Sequence, residues 1–330
     1  MKLRLLIITM VLLAVGLTTA YAGNADRVGT AGAQELRIPV GSRGTAMGGA
    51  VIANARGVES MFWNPAGLAS LEGTEAMFSY LPYIADIDQN YVGAAIRIEE
   101  FGTIGAGAKV MSVGDIDETT QQFPDGTGRQ FSPSLAVINL TYARNLTANV
   151  SFGLTSMFIN EQIAEVKATG IAFDVGFMYD PGWNGVRLGL VLKNYGPEMK
   201  FTGRGFERSL NGLRPASPES EAFDLPASIN IGMSYDFLAQ DEHLACLTGN
   251  FRSSSFGADL FQGGIEYGFN DLYFIRAGYN YADQPEWVSG VTLGGGLTYA
   301  FGDAKLTFEY AWQETDVFDD RQYFTLSVGF

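Results

Sequence analysis

The sequence predicts an all-β protein, a transmembrane outer-membrane β-barrel of about 14 antiparallel strands with a small N-terminal plug. Three observations lead to this prediction. The chain begins with a segment typical of cleaved export signals, alternates apolar and polar residues with period two after about residue 72, and ends on the aromatic residue Phe330. The predicted organisation is a signal peptide over residues 1–22, a plug or hatch over 23–71 and a transmembrane barrel over 72–330.

The first 22 residues have the three parts of a secretory signal peptide. Lys2 and Arg4 supply positive charge, residues 5–17 form an apolar core, and Ala20-Tyr21-Ala22 places small residues before the expected cut. The apolar core is shorter than the roughly 20 residues of a membrane-spanning helix, so a retained anchor helix is the weaker interpretation. We therefore expect an exported protein in the outer membrane of a Gram-negative-type bacterium.

Composition argues against several classes of function. The chain has 36 acidic and 21 basic residues, and cleavage after Ala22 would leave 19 basic residues and a net charge of −17. Such a surface repels phosphate backbones, so we expect no nucleic acid partner. Cys246 and His243 are each the only residue of their type, which leaves no internal disulfide and little basis for a metal site or a catalytic triad.

We therefore expect that the protein is not an enzyme and that it binds no cofactor and no metal. A hydrolase built on His243, with Asp241 or a nearby serine as its helper, is the best enzymatic alternative, but no surrounding motif supports it. Sequences for phosphate loops and for paired metal-binding cysteines are absent from the chain.

Residues 23–71 are too rich in glycine and alanine to pack as a core of their own. Glycine lets a backbone lie close against another surface, and the apolar cluster Met61-Phe62-Trp63 would be costly to leave in water. A flexible soluble leader is the alternative. We favour a chain that threads the lumen of the barrel.

The stretch of residues 60–70 is the last apolar segment before the strand pattern begins. Pro65 fixes a turn there, Asn64 offers a side chain to cap it, and Trp63 is expected to pack against the inner wall. The stretch is therefore predicted to anchor the plug. The candidate plug residues are Arg43, Gly48, Trp63, Asn64, Pro65 and Ala66.

Period-two alternation from residue 74 onward predicts half-buried strands. In residues 228–237, for example, serine, asparagine, glycine and aspartate alternate with isoleucine, methionine, tyrosine and phenylalanine. Many of the predicted strands match the roughly 9 to 11 tilted residues that cross a bilayer. The fourteen predicted strands are 74–82, 90–99, 102–113, 131–145, 148–160, 167–180, 185–194, 226–237, 242–254, 257–268, 271–282, 288–300, 303–312 and 321–330.

The connections between the predicted strands alternate in length. Those near residues 100, 146, 182, 240, 270 and 302 are tight, whereas 114–130, 195–225 and 314–320 are long. Short periplasmic turns opposite long outer loops are typical of outer-membrane barrels. Ser255-Phe256 is an exception, a short connection on the predicted outer side.

The last segment, residues 323–330, alternates up to its terminal phenylalanine and resembles the C-terminal insertion signal of Gram-negative outer-membrane barrels. Pairing of the first strand with the last would remove exposed strand edges.

The second face of the strands carries ionisable residues and is predicted to line the lumen. Charges at membrane depth are expensive unless they are paired or wet. We favour internal salt bridges that stiffen the barrel and hold the plug, with ligand binding as the alternative. The lumen candidates are Arg97, Lys109, Asp174, Arg187, Glu266, Arg276 and Glu309, with Lys193 and Lys305 on the same face.

The long loop of residues 195–225 mixes apolar residues with arginines, as contact surfaces do. The candidates for partner contact are Phe201, Phe206, Arg208 and Leu213.

Two stretches resemble a known family. Residues 38–50 and the motif Phe62-Trp63-Asn64-Pro65-Ala66-Gly67-Leu68 are similar to the PorV/PorQ family of outer-membrane proteins, within the wider FadL-like group. The resemblance implies a fourteen-stranded barrel behind an N-terminal hatch. It also implies a non-enzymatic component of type IX secretion that binds cargo or a partner at the cell surface.

In the FadL branch, the same resemblance implies passive uptake of small hydrophobic molecules through a lateral opening. A short hatch and an ionic lumen favour the PorV/PorQ side. The expected partners are therefore outer-membrane lipid with secretion-system proteins or exported cargo, or alternatively hydrophobic small molecules.

Overall fold

The computed structural model describes residues 27–206, 220–240, 242–282, 290–316 and 318–330. The predictions for the signal peptide and for Asp241, Arg208 and Leu213 lie outside these residues. In chain order the strands are β1 (Thr74–Pro82), β2 (Asp88–Ile98), β3 (Gly102–Ser112), β4 (Ile116–Asp117), β5 (Gln130–Phe131), β6 (Ser134–Asn145), β7 (Val150–Ile163), β8 (Val166–Tyr179), β9 (Val186–Tyr195), β10 (Phe201–Gly203), β11 (Ser228–Gln240), β12 (His243–Ser254), β13 (Leu260–Phe269), β14 (Tyr273–Ala282), β15 (Val291–Phe301), β16 (Ala304–Gln313) and β17 (Arg321–Gly329).

Fourteen of these strands form a closed antiparallel barrel, which confirms the predicted fold class. Strand β1 pairs with β17, and β8 pairs with β9, so the sheet has no free edge at either junction. The short strands β4 and β5 form a hairpin in the outer loop, and β10 pairs with the beginning of β8. Each predicted strand overlaps one wall strand, with ends that differ by at most three residues.

The two faces of the wall have the chemistry that the alternation predicts. On β11, Ile229 and Ile231 point outward and are 49% and 55% exposed, while Asn230 and Ser234 are buried inside. Large apolar side chains on the outside of a closed barrel form the band that lipid covers. The hydrophobic face of each strand therefore faces the membrane, and the polar face lines the lumen.

The connections at the end of the barrel opposite the C-terminus are uneven in length. This end, called the outer end below, carries the long loops 113–133 and 196–227. It also carries the short connections 83–87, 164–165 and 255–259, so the predicted exception at Ser255-Phe256 is one of three among the connections that the structure describes. At the outer end, long loops therefore lie next to short connections.

Residues 27–71, called the inner segment below, precede the first strand, and most of residues 31–71 are buried inside the ring. They include a 3-10 helix (Gln34–Arg37), helix α1 (Ser42–Ala46), helix α2 (Ser60–Trp63) and a second 3-10 helix (Pro65–Ser70). Helix α1 contacts β14 to β17, whereas the second 3-10 helix contacts β3, β6, β7 and β8 on the opposite side of the ring. Within the described residues, no helix is long and apolar enough to span a membrane.

Candidate functional site

The Asn-Pro-Ala motif attaches the inner segment to the wall. The Asn64 side chain is fully buried, and its Nδ2 donates to the carbonyls of Ile52 at 2.8 Å and Phe177 at 3.2 Å. Its Oδ1 accepts from Ala66 N at 3.1 Å, which caps the 3-10 helix. Pro65 occupies the first helical position, where its missing N–H leaves no bond unmade.

Two wall glycines make room for this motif. A Cβ on Gly176 would overlap Asn64 Oδ1, and a Cβ on Gly153 would overlap the backbone of Pro65. The motif therefore lies flat against β7 and β8, closer than any side chain would allow. The sequence shows that the lumen face is rich in glycine, but only the structure shows which glycines face the motif.

Trp63 packs mainly within the inner segment. Its indole contacts Met47, Val51 and Ala55, and on the wall side Lys193 Nζ lies 5.9 Å from the ring centre. Its Nε1 donates to Val40 O and to Glu59 Oε1, both at 3.1 Å. The reason is the lack of a side chain at Gly44, which leaves a slot in α1 that the indole occupies.

Two buried wall lysines hold carbonyl groups of the inner segment. Lys193 Nζ donates to Phe62 O at 2.5 Å and lies 3.7 Å from the centre of the Phe62 ring. Lys109 Nζ donates to Glu35 O at 2.6 Å and to Ile38 O at 3.3 Å. The two lysines therefore act on the outer part of the inner segment.

Asp174 lies on the inner face of β8, where it lines a small pocket together with Lys109 and Lys193. Its Oδ1 accepts from Asn194 N at 2.6 Å, at the register shift where β8 meets β9 between Phe173 and Val175. Asn194 has a positive φ of 55°, a conformation that asparagine tolerates better than most residues. Asp174 thus stabilises an irregularity in the wall.

The lumen candidates Glu266, Arg276 and Glu309 meet around helix α1. Glu266 accepts from Arg43 Nε at 2.9 Å and Nη2 at 3.1 Å, and from Arg276 Nε at 2.6 Å. Arg276 Nη1 lies 2.9 Å from Glu309 Oε1, and Arg56 Nη2 lies 3.5 Å from Glu266 Oε1. These five residues, called the Glu266 cluster below, join β13, β14 and β16 to the inner segment through internal salt bridges.

The remaining candidates lie at the periplasmic end of the barrel or, for Gly48, just after α1. Arg97 is exposed at the periplasmic end and donates to Ala69 O at 3.0 Å. Arg187 pairs with Asp236 at 2.7 Å, and Lys305 is exposed. Gly48 has a φ of 64°, and its carbonyl accepts a hydrogen bond from Gln262 of β13.

Of the loop candidates, the structure describes Phe201 and Phe206, which are both half-buried. Phe201 packs against Phe223 with ring centres 5.6 Å apart, in the cluster that also holds Met199 and Leu225. One part of the loop is thus folded onto the barrel, which leaves less of Phe201 for a partner than the sequence suggests.

Two cavities lie on either side of the inner segment. The outer cavity has a volume of about 620 Å³ and is lined by outer strand ends such as Tyr83, Gln313 and Arg321. The periplasmic cavity has a volume of about 400 Å³ and borders Arg56, Asp236 and the Glu266 cluster. Within the part of the chain that the structure describes, no group of His, Cys, Asp or Glu residues is arranged to hold a metal ion.

The sequence reading missed the basic residues of the outer cavity. Arg37, Arg252 and Arg321 line it, but none was a lumen candidate. Their positions in the strands could have identified two of them. Arg252 and Arg321 lie at the outer ends of β12 and β17, at positions of the alternation that face the lumen. Gln262 and Glu59, which bind carbonyl or N–H groups of the inner segment, were missed as well.

Comparison with known proteins agrees with this architecture. A family model described as "Type IX secretion system protein PorV" matches residues 21–253. The toluene transporter TodX of Pseudomonas putida has a TM-score of 0.57 at 15% identity, over 88% of this chain and 99% of that one. A FadL homologue of Pseudomonas aeruginosa has 0.52 at 14% identity, over 94% and 99%.

The monoaromatic hydrocarbon channel CymD has a TM-score of 0.53 at 16% identity, over 88% of this chain and 96% of that one. At these identities the solved structures show a common barrel fold. No curated protein matches the chain.

Proposed function

Because this chain belongs to the PorV family of outer-membrane β-barrel proteins, we propose that it is a non-enzymatic, secretion-associated component that binds cargo or a partner at the outer end. In this proposal residues 23–71 act as a plug, and the barrel serves as a membrane-embedded platform. The family description, a type IX secretion system protein, supports the secretion role.

The observation that carries the proposal is the attachment of the inner segment to the wall. Asn64 bonds one side of the barrel, and Arg43 bonds Glu266 on the other. A pathway for apolar molecules through the centre would have to break these buried contacts, and a buried charge that loses its partner is costly. The arrangement favours a closed platform over a central channel.

The loop of residues 196–227 supplies the contact surface in this proposal. Its base is fixed by paired backbone bonds between Met199 and Phe223, at 2.9 and 2.8 Å. Arg27 and Asp224 form an ion pair at 2.7 Å, which joins the loop to the inner segment. A partner that binds Phe206, Arg208 or Leu213 would therefore act on a loop with a rigid base.

The test is a deletion limited to residues 207–219. Ser220 N donates to Phe201 O at 3.1 Å, so the chain after the cut is anchored beside β10, and a short linker from Phe206 to Ser220 can close the deletion. We expect co-purification of type IX secretion proteins from native outer membrane to fall at least tenfold. A matched control shortens the other long loop at residues 120–126 and keeps the partners.

A second candidate function is uptake of small hydrophobic molecules. The TodX and CymD structures share the fold and are described as a toluene transporter and a monoaromatic hydrocarbon channel, and the outer cavity has apolar lining from Leu135 and Leu260. If the 207–219 deletion keeps its partners but lowers toluene entry into liposomes, uptake replaces the secretion proposal.

A further inference from the structure

The outer cavity holds arginines whose charge is not balanced. Arg37 of the inner segment and Arg252 of β12 line it together, and Arg321 at the start of β17 lines it too. Within the described ranges, none of the three has a carboxylate within salt-bridge distance. This is unusual in a chain of net charge −15, in which acidic residues are in excess.

Arg37 and Arg252 also line a second, smaller pocket together, beside Ser254 and Phe256. The terminal nitrogens of Arg37 lie 3.7 and 3.9 Å from where a Cβ on Gly257 would be, in the connection that follows β12. Arg252 Nε donates to Asn230 Oδ1 at 2.9 Å, which fixes the side chain and leaves its two terminal nitrogens without a bond in the described part of the chain. Two guanidinium groups thus face one space.

Arg321 extends this basic lining around Tyr83. Its guanidinium lies 4.6 Å from the centre of the Tyr83 ring, and its buried Nε has no hydrogen-bond partner among the described residues. Tyr83 also interacts with Arg37. Arg321 and Arg37 therefore share a neighbour, and Arg252 lines the same cavity.

The carboxylates of the cavity do not neutralise this group. Glu35 and Glu161 line the same space, but they lie beside each other, and the positive charge that acts on Glu35 is that of Lys109. The acidic and basic parts of the lining are therefore separate. A ligand with negative charge is attracted to one part only.

We propose that Arg37 and Arg252, with Arg321 beside them, form a binding site for a phosphate monoester group that enters the outer cavity from the cell surface. A phosphate monoester carries a charge of about −1.5 to −2 and three acceptor oxygens, which matches two guanidinium forks better than a single carboxylate does. The site goes beyond the proposed secretion role and does not depend on it.

The phosphate could belong to the head group of an amphiphile or to a soluble molecule. Leu260, Met111 and Ile38 line the same cavity, so an alkyl chain attached to the phosphate has apolar contacts available. The volume of about 620 Å³ is in the range of small-molecule sites. The test separates the two sources by comparing probes with and without an alkyl chain.

The experiment is calorimetric titration of the purified full-length barrel in neutral detergent with decyl phosphate, inorganic phosphate and decanol. We expect decyl phosphate to bind and the double variant Arg37→Gln/Arg252→Gln to weaken it at least tenfold. Arg129→Gln, which removes an exposed arginine of the outer loop, is the control and keeps full affinity. Binding of inorganic phosphate with the same arginine dependence would identify a soluble source; binding of decyl phosphate alone would identify an amphiphile.

The single variant Arg252→Gln, expected to weaken binding several-fold, provides the test if the double variant folds poorly. Without ligand, the double variant should be at least as heat-stable as the wild type, because it removes like-charge repulsion. Unchanged affinity in the arginine variants, binding of decanol as tight as that of decyl phosphate, or no binding of either phosphate probe would overturn the proposal.

Discussion

Two groups of arginines in the same barrel differ in how their charge is balanced. In the Glu266 cluster, Arg43 and Arg276 share the carboxylate of Glu266, and Arg276 also reaches Glu309. In the outer cavity, Arg37 and Arg252 line one space, and neither has a carboxylate of the described residues within salt-bridge distance. The first group joins the inner segment to the wall. The second group has hydrogen-bond donors that are available to a ligand.

Burial explains why the first group must be paired. The side chains of Arg276 and Glu266 are each 1% exposed, and a charge removed from water needs a counter-charge and full hydrogen bonding. Arg37 is exposed to the outer cavity and Arg252 is half-buried, so solvent can carry part of their charge. The comparison teaches that the ionic lumen has two roles, one structural and one available to a ligand.

The largest effect is expected where the paired group is broken. Glu266→Gln leaves Arg43 and Arg276 buried without their shared counter-charge, and breaking a buried pair costs about 3–5 kcal/mol. We expect a lower temperature for the loss of heat-modifiable mobility of the folded barrel in electrophoresis. Thermal unfolding in detergent provides the second measurement.

The matched control is Glu118→Gln, the same chemical change at an ion pair in the outer loop. Equal unfolding temperatures for Glu266→Gln and wild type would show that the cluster does not hold the inner segment. The two arginine groups would then no longer differ in structural role.

Sequence reasoning reached the wall more completely than the interior. The alternation of apolar and polar residues predicts the strands, because successive residues of a wall strand face the lipid and the lumen in turn. The pairing of Arg43 with Glu266 depends on how a segment with little periodicity crosses the lumen, and residues 223 positions apart carry no local signal for it. The slot that Trp63 occupies has no local signal either, since it is created by the missing side chain of Gly44.

The Asn-Pro-Ala motif could be predicted in part. Pro65 and Asn64 have local propensities that predict a capped turn, and the structure has such a turn. Its contact with Gly153 and Gly176 could not be predicted, because glycine at a lumen position fits several neighbours equally well. The same limit applies to Arg252. The alternation predicts that this residue faces the lumen, but it does not predict that no carboxylate of the described residues pairs with it.

A smaller effect is expected from a steric change that leaves every charge in place. Gly153→Ala puts a methyl group against the backbone of Pro65, and overpacking of this kind typically costs about 1–3 kcal/mol. We expect the inner segment to move away from β7 and the single-channel conductance in planar bilayers to rise. This tests whether the segment is held by fit as well as by the Glu266 cluster.

Gly249→Ala is the control for this substitution, because a Cβ at that wall position meets no atom within 4 Å. Its conductance and heat stability should match those of the wild type. If both alanine variants behave alike, close contact at Gly153 does not hold the motif, and the electrostatic group alone accounts for attachment.

The smallest effect is expected at the exposed ion pair that completes the comparison. Arg129 Nε donates to Glu118 Oε2 at 2.6 Å beside the β4–β5 hairpin, and hydrogen bonds from Arg129 and Thr127 lower the pKa of Glu118 from 4.5 to about 2. Because this pKa is lowered in the folded loop, its stabilisation is present above pH 4.5 and is lost as the pH falls towards 2.

Exposed pairs contribute little to overall stability, so Glu118→Gln should leave barrel unfolding unchanged and affect only the hairpin. We expect faster amide hydrogen exchange at residues 116–118 and 129–131 in the variant at pH 6, and a smaller difference between variant and wild type at pH 2.5. A fall in barrel unfolding temperature as large as that of Glu266→Gln would mean that solvent exposure does not decide which ion pairs hold this barrel together.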